Sequence, residues 1–293
     1  MTPEEETKEK QATVEDQYDS LRVIYKEIIQ GYTFDFSSNF YIKHFTEAES
    51  IDPILAKEHF LKQATSKGLL TQKEKEKILQ ESGDWSVEMQ EEIDFLEQLI
   101  IDNEKNLSHI VIPAQQLFIK KIIQESKENL WKKNSEKNEI FGMTAESYSD
   151  KKASNFLIFD SLFSDKALTS RPYSQEEFDS LDYEELYSYI TIYNNIINKF
   201  SERNLRKISA MPFFLNSIAA AVEQPMFFLN KPVTEFTIFQ LSIFNAGKRN
   251  RFVLSNAKGK PPDVSPTTKT QDILDWYDSN YSLVMAKFSS DEK

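Results

Sequence analysis

The chain has 293 residues, of which 47 are Asp or Glu and 35 are Lys or Arg, so its formal charge of −12 disfavours attraction of the whole molecule to nucleic acid or to an anionic membrane. It contains no cysteine, which excludes disulfides, thiolate metal sites and a cysteine nucleophile. No run approaches the roughly 18 apolar residues of a membrane span, and 6 Gly and 10 Pro provide few turns for a many-stranded sheet, so we expect a soluble helical protein.

The N-terminal region predicts a tail, a helix and a hairpin in that order. Residues 1–13 are acidic and almost free of apolar side chains, so we expect a disordered tail. Helical spacing begins at Val14 and ends at Gly31, which can adopt the left-handed conformation of a helix end. Residues 32–45, YTFDFSSNFYIKHF, then alternate aromatic and polar side chains. We therefore predict an all-α fold, a mainly helical multi-helix bundle, with one small β-hairpin near residues 32–45.

The segment GLLTQKEKEKILQESGDWSVEMQEEI, from Gly68 to Ile93, contains closely spaced helix-end signals. Thr71 and Glu74 have the spacing of a capping box, in which each side chain hydrogen-bonds a backbone N–H at the other residue. Gly83 ends that short helix, and Ser86 can cap the next one. This pattern predicts a helical corner with Trp85 buried inside it.

The later segments predict further helices and a domain organisation. We expect helices from Pro113 to about Trp131, ending at KKNSEKNEIFG, and from Thr144 to Phe163, and a helix capped by Thr234. The predicted domains are a helical domain at 14–256, for which two subdomains dividing near 135–145 are one option, a proline-rich linker at 257–269, and a C-terminal helix and tail at 270–293.

The residue patterns give no catalytic, cofactor or metal site. The three histidines lack the spacing of metal ligands: His44, His59 and His109. Adjacent acids such as Glu91 and Glu92 point to different parts of a helix, and Gly247-Lys248 lacks the flanking residues of a phosphate-binding loop. We therefore predict a protein that is not an enzyme. A hydrolase with carboxylates that meet only in the folded chain is the enzymatic alternative.

Two neighbouring patterns are candidates for partner binding. The thirteen residues 248–260 contain five basic residues and no acid, which fits either a solvated face or a surface that docks on an acidic partner. An apolar stripe precedes them and is either core or an exposed helix face. The candidate partner-binding residues are Phe236, Phe239, Leu241, Phe244, Lys248, Arg249 and Arg251.

Several segments, read in order, resemble the helical tail assembly chaperones encoded among the tail genes of tailed bacteriophages. These landmarks are FYIKHFTEAE (Phe40 to Glu49), the Gly68 to Ile93 segment, the Ser108-His109 helix entry, the basic segment Asn204 to Ile208, KPVTEFTIFQLSIFN (Lys231 to Asn245) and DILDWYDS (Asp272 to Ser279). They span about 40 to 280 of the chain.

This resemblance implies a non-enzymatic function without a cofactor. The protein would hold the helical tape-measure protein in an assembly-competent state in the host cytoplasm while tube subunits polymerise around it. The implied partners are tail proteins such as the tape-measure or tube protein, with no nucleic acid and no membrane. A structural virion component of the neck, tail or baseplate is the alternative, and the oligomeric state stays open.

Overall fold

The structure, a computed structural model, describes residues 14–107, 110, 113–265 and 267–291. The predicted tail at 1–13 and the Ser108-His109 landmark lie outside the described residues. None of the helices in the described part of the chain combines the length and the apolar character that a membrane span requires.

The fold is mainly helical with a small antiparallel sheet, as the sequence predicts. The first helices are α1 (Val14–Gln30), α2 (Asp52–Ser66), α3 (Gln72–Ser82), α4 (Val87–Leu107), α5 (Pro113–Phe141) and α6 (Ala145–Ser161). The later helices are α7 (Gln175–Asp179), α8 (Tyr183–Lys199), α9 (Glu202–Ser209), α10 (Pro212–Ile218), α11 (Met226–Leu229), α12 (Ile238–Asn256) and α13 (Thr270–Asp291). The strands are β1 (Tyr32–Asp35), β2 (Phe40–Lys43) and β3 (Leu162–Phe163).

The predicted hairpin is confirmed, and a third strand extends it. β1 and β2 pair in antiparallel register from Tyr32 opposite Lys43 to Asp35 opposite Phe40. β3 adds to the other edge of β2, with Ile42 opposite Leu162. The sequence prediction placed Leu162 and Phe163 at the end of a helix, because two consecutive apolar residues show neither a strand period nor a helix period.

Two helix ends differ from the prediction. α5 continues ten residues beyond Trp131 to Phe141, because its C-terminal turns pack on α4. Gly142, directly after α5, has a left-handed backbone at φ 57° and ends the helix. α12 is capped by Thr237, whereas Thr234 lies in a short 3-10 turn. The predicted capping box at Thr71 is confirmed.

The chain forms two compact units. The first takes the chain up to Asp52 and from Asn155 onward, and the second consists of Pro53–Ser154. The second unit is therefore inserted between β2 and β3 of the first unit. The segment near 135–145, considered above as a subdomain boundary, falls within the second unit, and α13 belongs to the first unit, where it packs on α9 and α12.

The second unit is built on the antiparallel pair α4 and α5. Trp85 is almost fully buried against Phe141, with ring centroids 5.4 Å apart in an edge-to-face contact, so its predicted position inside the corner is confirmed. Lys137 is also buried: its ammonium donates to Gln90 Oε1 at 2.6 Å and lies 5.7 and 5.0 Å from the Trp85 and Phe141 ring centroids. Ring faces and one amide oxygen thus partly replace the water that this ammonium loses.

The first unit is organised around α12, which packs against α1, α9, α10 and α13. The two helices α10 and α12 approach closely at Gly247, where a Cβ atom would lie 2.4 Å from Phe214 Cε1 and 2.8 Å from Ile218 Cδ1. Glycine at this position therefore allows the two helices to approach. Its unfavourable helix propensity is the cost of that contact.

The N-terminus of α12 is joined to the C-terminus of α1 through Gln240. Its Oε1 accepts from the Thr237 N–H at 3.0 Å, which completes a capping box. Its Nε2 donates to the Ile28 carbonyl at 2.8 Å and to the Ile29 carbonyl at 3.2 Å. One buried amide thereby satisfies backbone groups at the ends of two helices that are far apart in sequence.

We predict that Gly247→Ala destabilises the protein by about 1–3 kcal/mol, because the added methyl group must displace Phe214 and Ile218. Helix propensity alone predicts the opposite, a gain of about 1 kcal/mol. Denaturant unfolding of the variant measures the sign. A more stable variant would show that the α10 contact relaxes without cost.

We predict that Gln240→Glu lowers the free energy of unfolding by about 3 kcal/mol at neutral pH, because a carboxylate cannot donate to the Ile28 and Ile29 carbonyls. The Thr237 bond would survive, since Glu74 makes the same bond to Thr71 in the exposed box of α3. Gln115→Glu, on an exposed position in the first turn of α5, is the control and should change stability by less than about 0.5 kcal/mol. Equal effects in the two variants would contradict the bridging role of Gln240.

Candidate protein-binding cleft

Helix α12 presents three faces. The first is buried in the core and carries Gln240, Ile243, Phe244, Gly247, Asn250 and Val253. The second carries Ile238, Ser242, Ala246 and Arg249 at positions i, i+4, i+8 and i+11, and it lines a cleft. The third carries Lys248, Arg251, Phe252 and Ser255 and lines a separate groove. Because α12 lines both a cleft and a groove, it is the main candidate for a binding element in the first unit.

The cleft on the second face lies between α9 and α12 and has a volume of about 450 Å³. We call it the α9–α12 cleft. α12 contributes the residues of its second face together with Phe239, and the opposite wall consists of Phe200, Glu202, Leu205 and Arg206. Ser242 and Ala246 are small, so the middle of the cleft stays open.

One end of the cleft is aromatic. The rings of Phe200 and Phe239 stack with centroids 4.6 Å apart and an interplanar angle of 27°. Behind them, the buried His44 ring makes edge contacts to Phe200 at 4.6 Å and to Phe239 at 5.2 Å. The His44 Nε2 atom lies 3.0 Å from Thr33 Oγ1. This layer fixes the aromatic wall against the hairpin.

The other end of the cleft is cationic. Arg206 and Arg249 both donate to the same oxygen, Asp278 Oδ1 of α13, and the Arg249 bond is 3.2 Å long. The Arg249 guanidinium also lies 4.1 Å from the Tyr281 ring centroid, and no described residue accepts a hydrogen bond from its buried Nε–H. Two guanidinium groups thus share one carboxylate. Glu202 lies at the exposed rim, where solvent screens its charge.

This arrangement can bind an amphipathic segment. The second face of α12 extends from Ile238 to Arg249, which is about 16 Å along a helix, or three turns. A bound helix could place an apolar side chain against Phe239 and a carboxylate near the guanidinium groups of Arg206 and Arg249. The cleft therefore has a directional chemistry, with an apolar end and an anion-accepting end.

The residues predicted from the sequence to bind a partner lie in three different places in the structure. Phe236 and Phe244 are only 1% and 2% exposed, and Leu241 packs partly buried on the same core, so the four-residue apolar stripe is not an exposed face. Phe239 and Arg249 line the α9–α12 cleft. Lys248 and Arg251 line the groove on the third face. The α9 wall was missed as a site, although its one basic residue, Arg206, lies within the landmark Asn204 to Ile208.

The second unit contains a polar cavity of about 370 Å³, lined in part by Glu97, Glu146 and Asp150. Glu146 accepts from the Gln72 N–H at 2.7 Å, and Asp150 pairs with Lys57, so both carboxylates have structural partners. Among the described residues, no group of three or more His, Asp or Glu side chains is arranged to hold a metal ion.

Comparisons with protein-family models, with curated proteins and with solved structures give no significant match for this chain.

We predict that the protein loses stability below about pH 6.5 because of His44. Burial lowers the pKa of His44 from 6.5 to about 3, and its Nδ1 has no hydrogen-bond partner in the part of the chain that the structure describes. The folded state thus binds fewer protons than the unfolded state between these two pH values. The contribution of neutral His44 to the free energy of unfolding is therefore retained above pH 6.5 and is lost progressively as the pH decreases toward 3.

The unfolding free energy of the wild type should fall by about 2 kcal/mol more than that of His44→Gln between pH 7 and pH 5. Carboxylates titrate in both proteins, so their effect cancels in this difference. An equal loss in the two proteins would show that His44 can be protonated in the folded state without cost.

Proposed function

We propose that the protein is a non-enzymatic assembly factor of a tailed bacteriophage, and that its α9–α12 cleft binds a helical segment of a tail protein. The tape-measure protein, which is long and helical, is the proposed partner. The bound segment would carry an apolar side chain at one end and an acidic side chain about three turns away.

The observation that carries the binding part of this proposal is the pair of unlike ends of the α9–α12 cleft, with the stacked Phe200 and Phe239 rings at one end and two arginines at the other. Arg206 and Arg249 share the single carboxylate of Asp278, so a partner carboxylate can pair with the remaining positive charge. The aromatic end supplies apolar area, and the small side chains between the two ends give a helix room to approach. The phage part of the proposal rests on the ordered landmarks from Phe40 to Ser279.

Ser242→Glu tests the cleft, because Ser242 is exposed in the middle of it and the new carboxylate would both fill the space and compete for the arginines. Asn245→Glu is the matched control: it adds the same charge to an exposed position of the same helix that lines neither the cleft nor the groove. Each tagged variant is recovered from phage-infected cells, and co-purified proteins are quantified by mass spectrometry beside the proteome of purified particles.

We expect the wild type and Asn245→Glu to recover the tape-measure protein, and Ser242→Glu to recover at least about tenfold less, as expected for loss of an interface hot spot. The chain should be missing from finished particles. Equal recovery by all three proteins would place binding outside the cleft. Stoichiometric presence in particles would instead support a structural tail component.

A further inference from the structure

The groove on the third face of α12 has a different chemistry from the α9–α12 cleft. It has a volume of about 600 Å³ and lies between α12 and the turn that follows α10. Ala219 and Ala220 are exposed on one wall, and the partly buried Phe252 lies on the other. We call it the α10–α12 groove. Its small side chains would allow a helix to approach closely, and its aromatic ring would supply apolar contact.

The margin of the groove is basic in a protein that is acidic overall. Lys248 and Arg251 line it and form no ion pair with the described residues, and Glu223 is the one acid that lines it. α12 contains no acidic residue along its whole length. The occupant of this groove should therefore be an acidic helix with exposed apolar side chains.

The chain itself contains such a helix. α4 carries seven carboxylates and a single basic residue. On its outer face, Val87, Phe95 and Ile101 are exposed by 54%, 64% and 57%. Glu91 and Asp94 lie on the same face, as the helical spacing from Val87 to Ile101 requires.

We propose that the α10–α12 groove binds the outer face of α4 from a second copy of this chain. Phe95 would pack between Phe252 and the two alanines, while Glu91 and Asp94 pair with Lys248 and Arg251. The net charge of −12 on each copy opposes association. That repulsion is screened beyond about 8 Å at physiological ionic strength, whereas the paired charges are in contact.

The test uses two complementary charge reversals. Lys248→Glu/Arg251→Glu reverses the charge of the α10–α12 groove and leaves α4 unchanged. Glu91→Lys/Asp94→Lys reverses the charge of the outer face of α4 and leaves the groove unchanged. All four positions lie on the surface of helices, and circular dichroism of each variant verifies folding. Lys258→Glu/Lys260→Glu is the control, since it reverses two exposed charges in the same segment outside the groove. Ser242→Glu, in the other cleft, should associate like the wild type.

Association is measured by analytical ultracentrifugation in about 50 mM and about 500 mM salt, which changes the screening length severalfold. We expect the wild type and the control to self-associate at low salt and to dissociate at high salt. Each double variant alone should associate at least about tenfold more weakly. An equimolar mixture of the two variants should form dimers, because one intact groove then meets one intact α4.

A wild type that stays monomeric at low salt would overturn the proposal, and so would a mixture that fails to form dimers. Both outcomes are independent of the tail-protein pulldown, because that experiment probes the α9–α12 cleft. Self-association and partner binding can therefore succeed or fail separately.

Discussion

The first unit depends on one buried amide. Gln240 accepts from Thr237 at the start of α12 and donates to two carbonyls at the end of α1, so it sets the position of the central helix relative to the N-terminal helix. The β-hairpin is fixed at the same point, since the Ile238 N–H donates to the Phe45 carbonyl at 2.8 Å. Helix, hairpin and central helix thus meet where backbone groups would otherwise be buried without partners.

The position of α12 explains why both candidate binding surfaces adjoin it. Gly247 brings its core face close to α10, which leaves the other two faces to line the cleft and the groove. The basic residues of its C-terminal half then lie at the edges of these two surfaces, Arg249 on one and Lys248 and Arg251 on the other. A short basic segment in an acidic protein is in this way divided between two sites.

The sequence predicted features that depend on nearby residues. The capping box at Thr71, the hairpin and the burial of Trp85 each depend on residues within a few positions of one another, so their patterns are visible in the sequence. The strand β3 was not predictable, because Leu162 and Phe163 become a strand only by pairing with β2. The Thr237 cap was missed although its signal is local, since Gln240 stands three residues after Thr237 at the spacing of a capping box.

The candidate site was predictable only in part for the same reason. The sequence showed an aromatic stripe and a basic segment on α12, but it could not show which of these side chains face inward. Phe236 and Phe244 lie in the core, whereas Phe239 lines the cleft. The positions of α1 and α10 decide which side of α12 is covered. Arg206 joins Arg249 only through Asp278, a residue of α13.

The insertion of the second unit between β2 and β3 has a consequence for synthesis on the ribosome. Ile28 and Gln240 are separated by 212 residues. At about 5–20 residues per second, Gln240 is therefore synthesised about 10–40 s after the α1 carbonyls to which it donates. The inserted unit, Pro53–Ser154, is complete long before then and can fold first. During that interval the apolar side of α1 and the hairpin has no core to join, so the nascent N-terminal segment keeps apolar side chains exposed until α12 has been made.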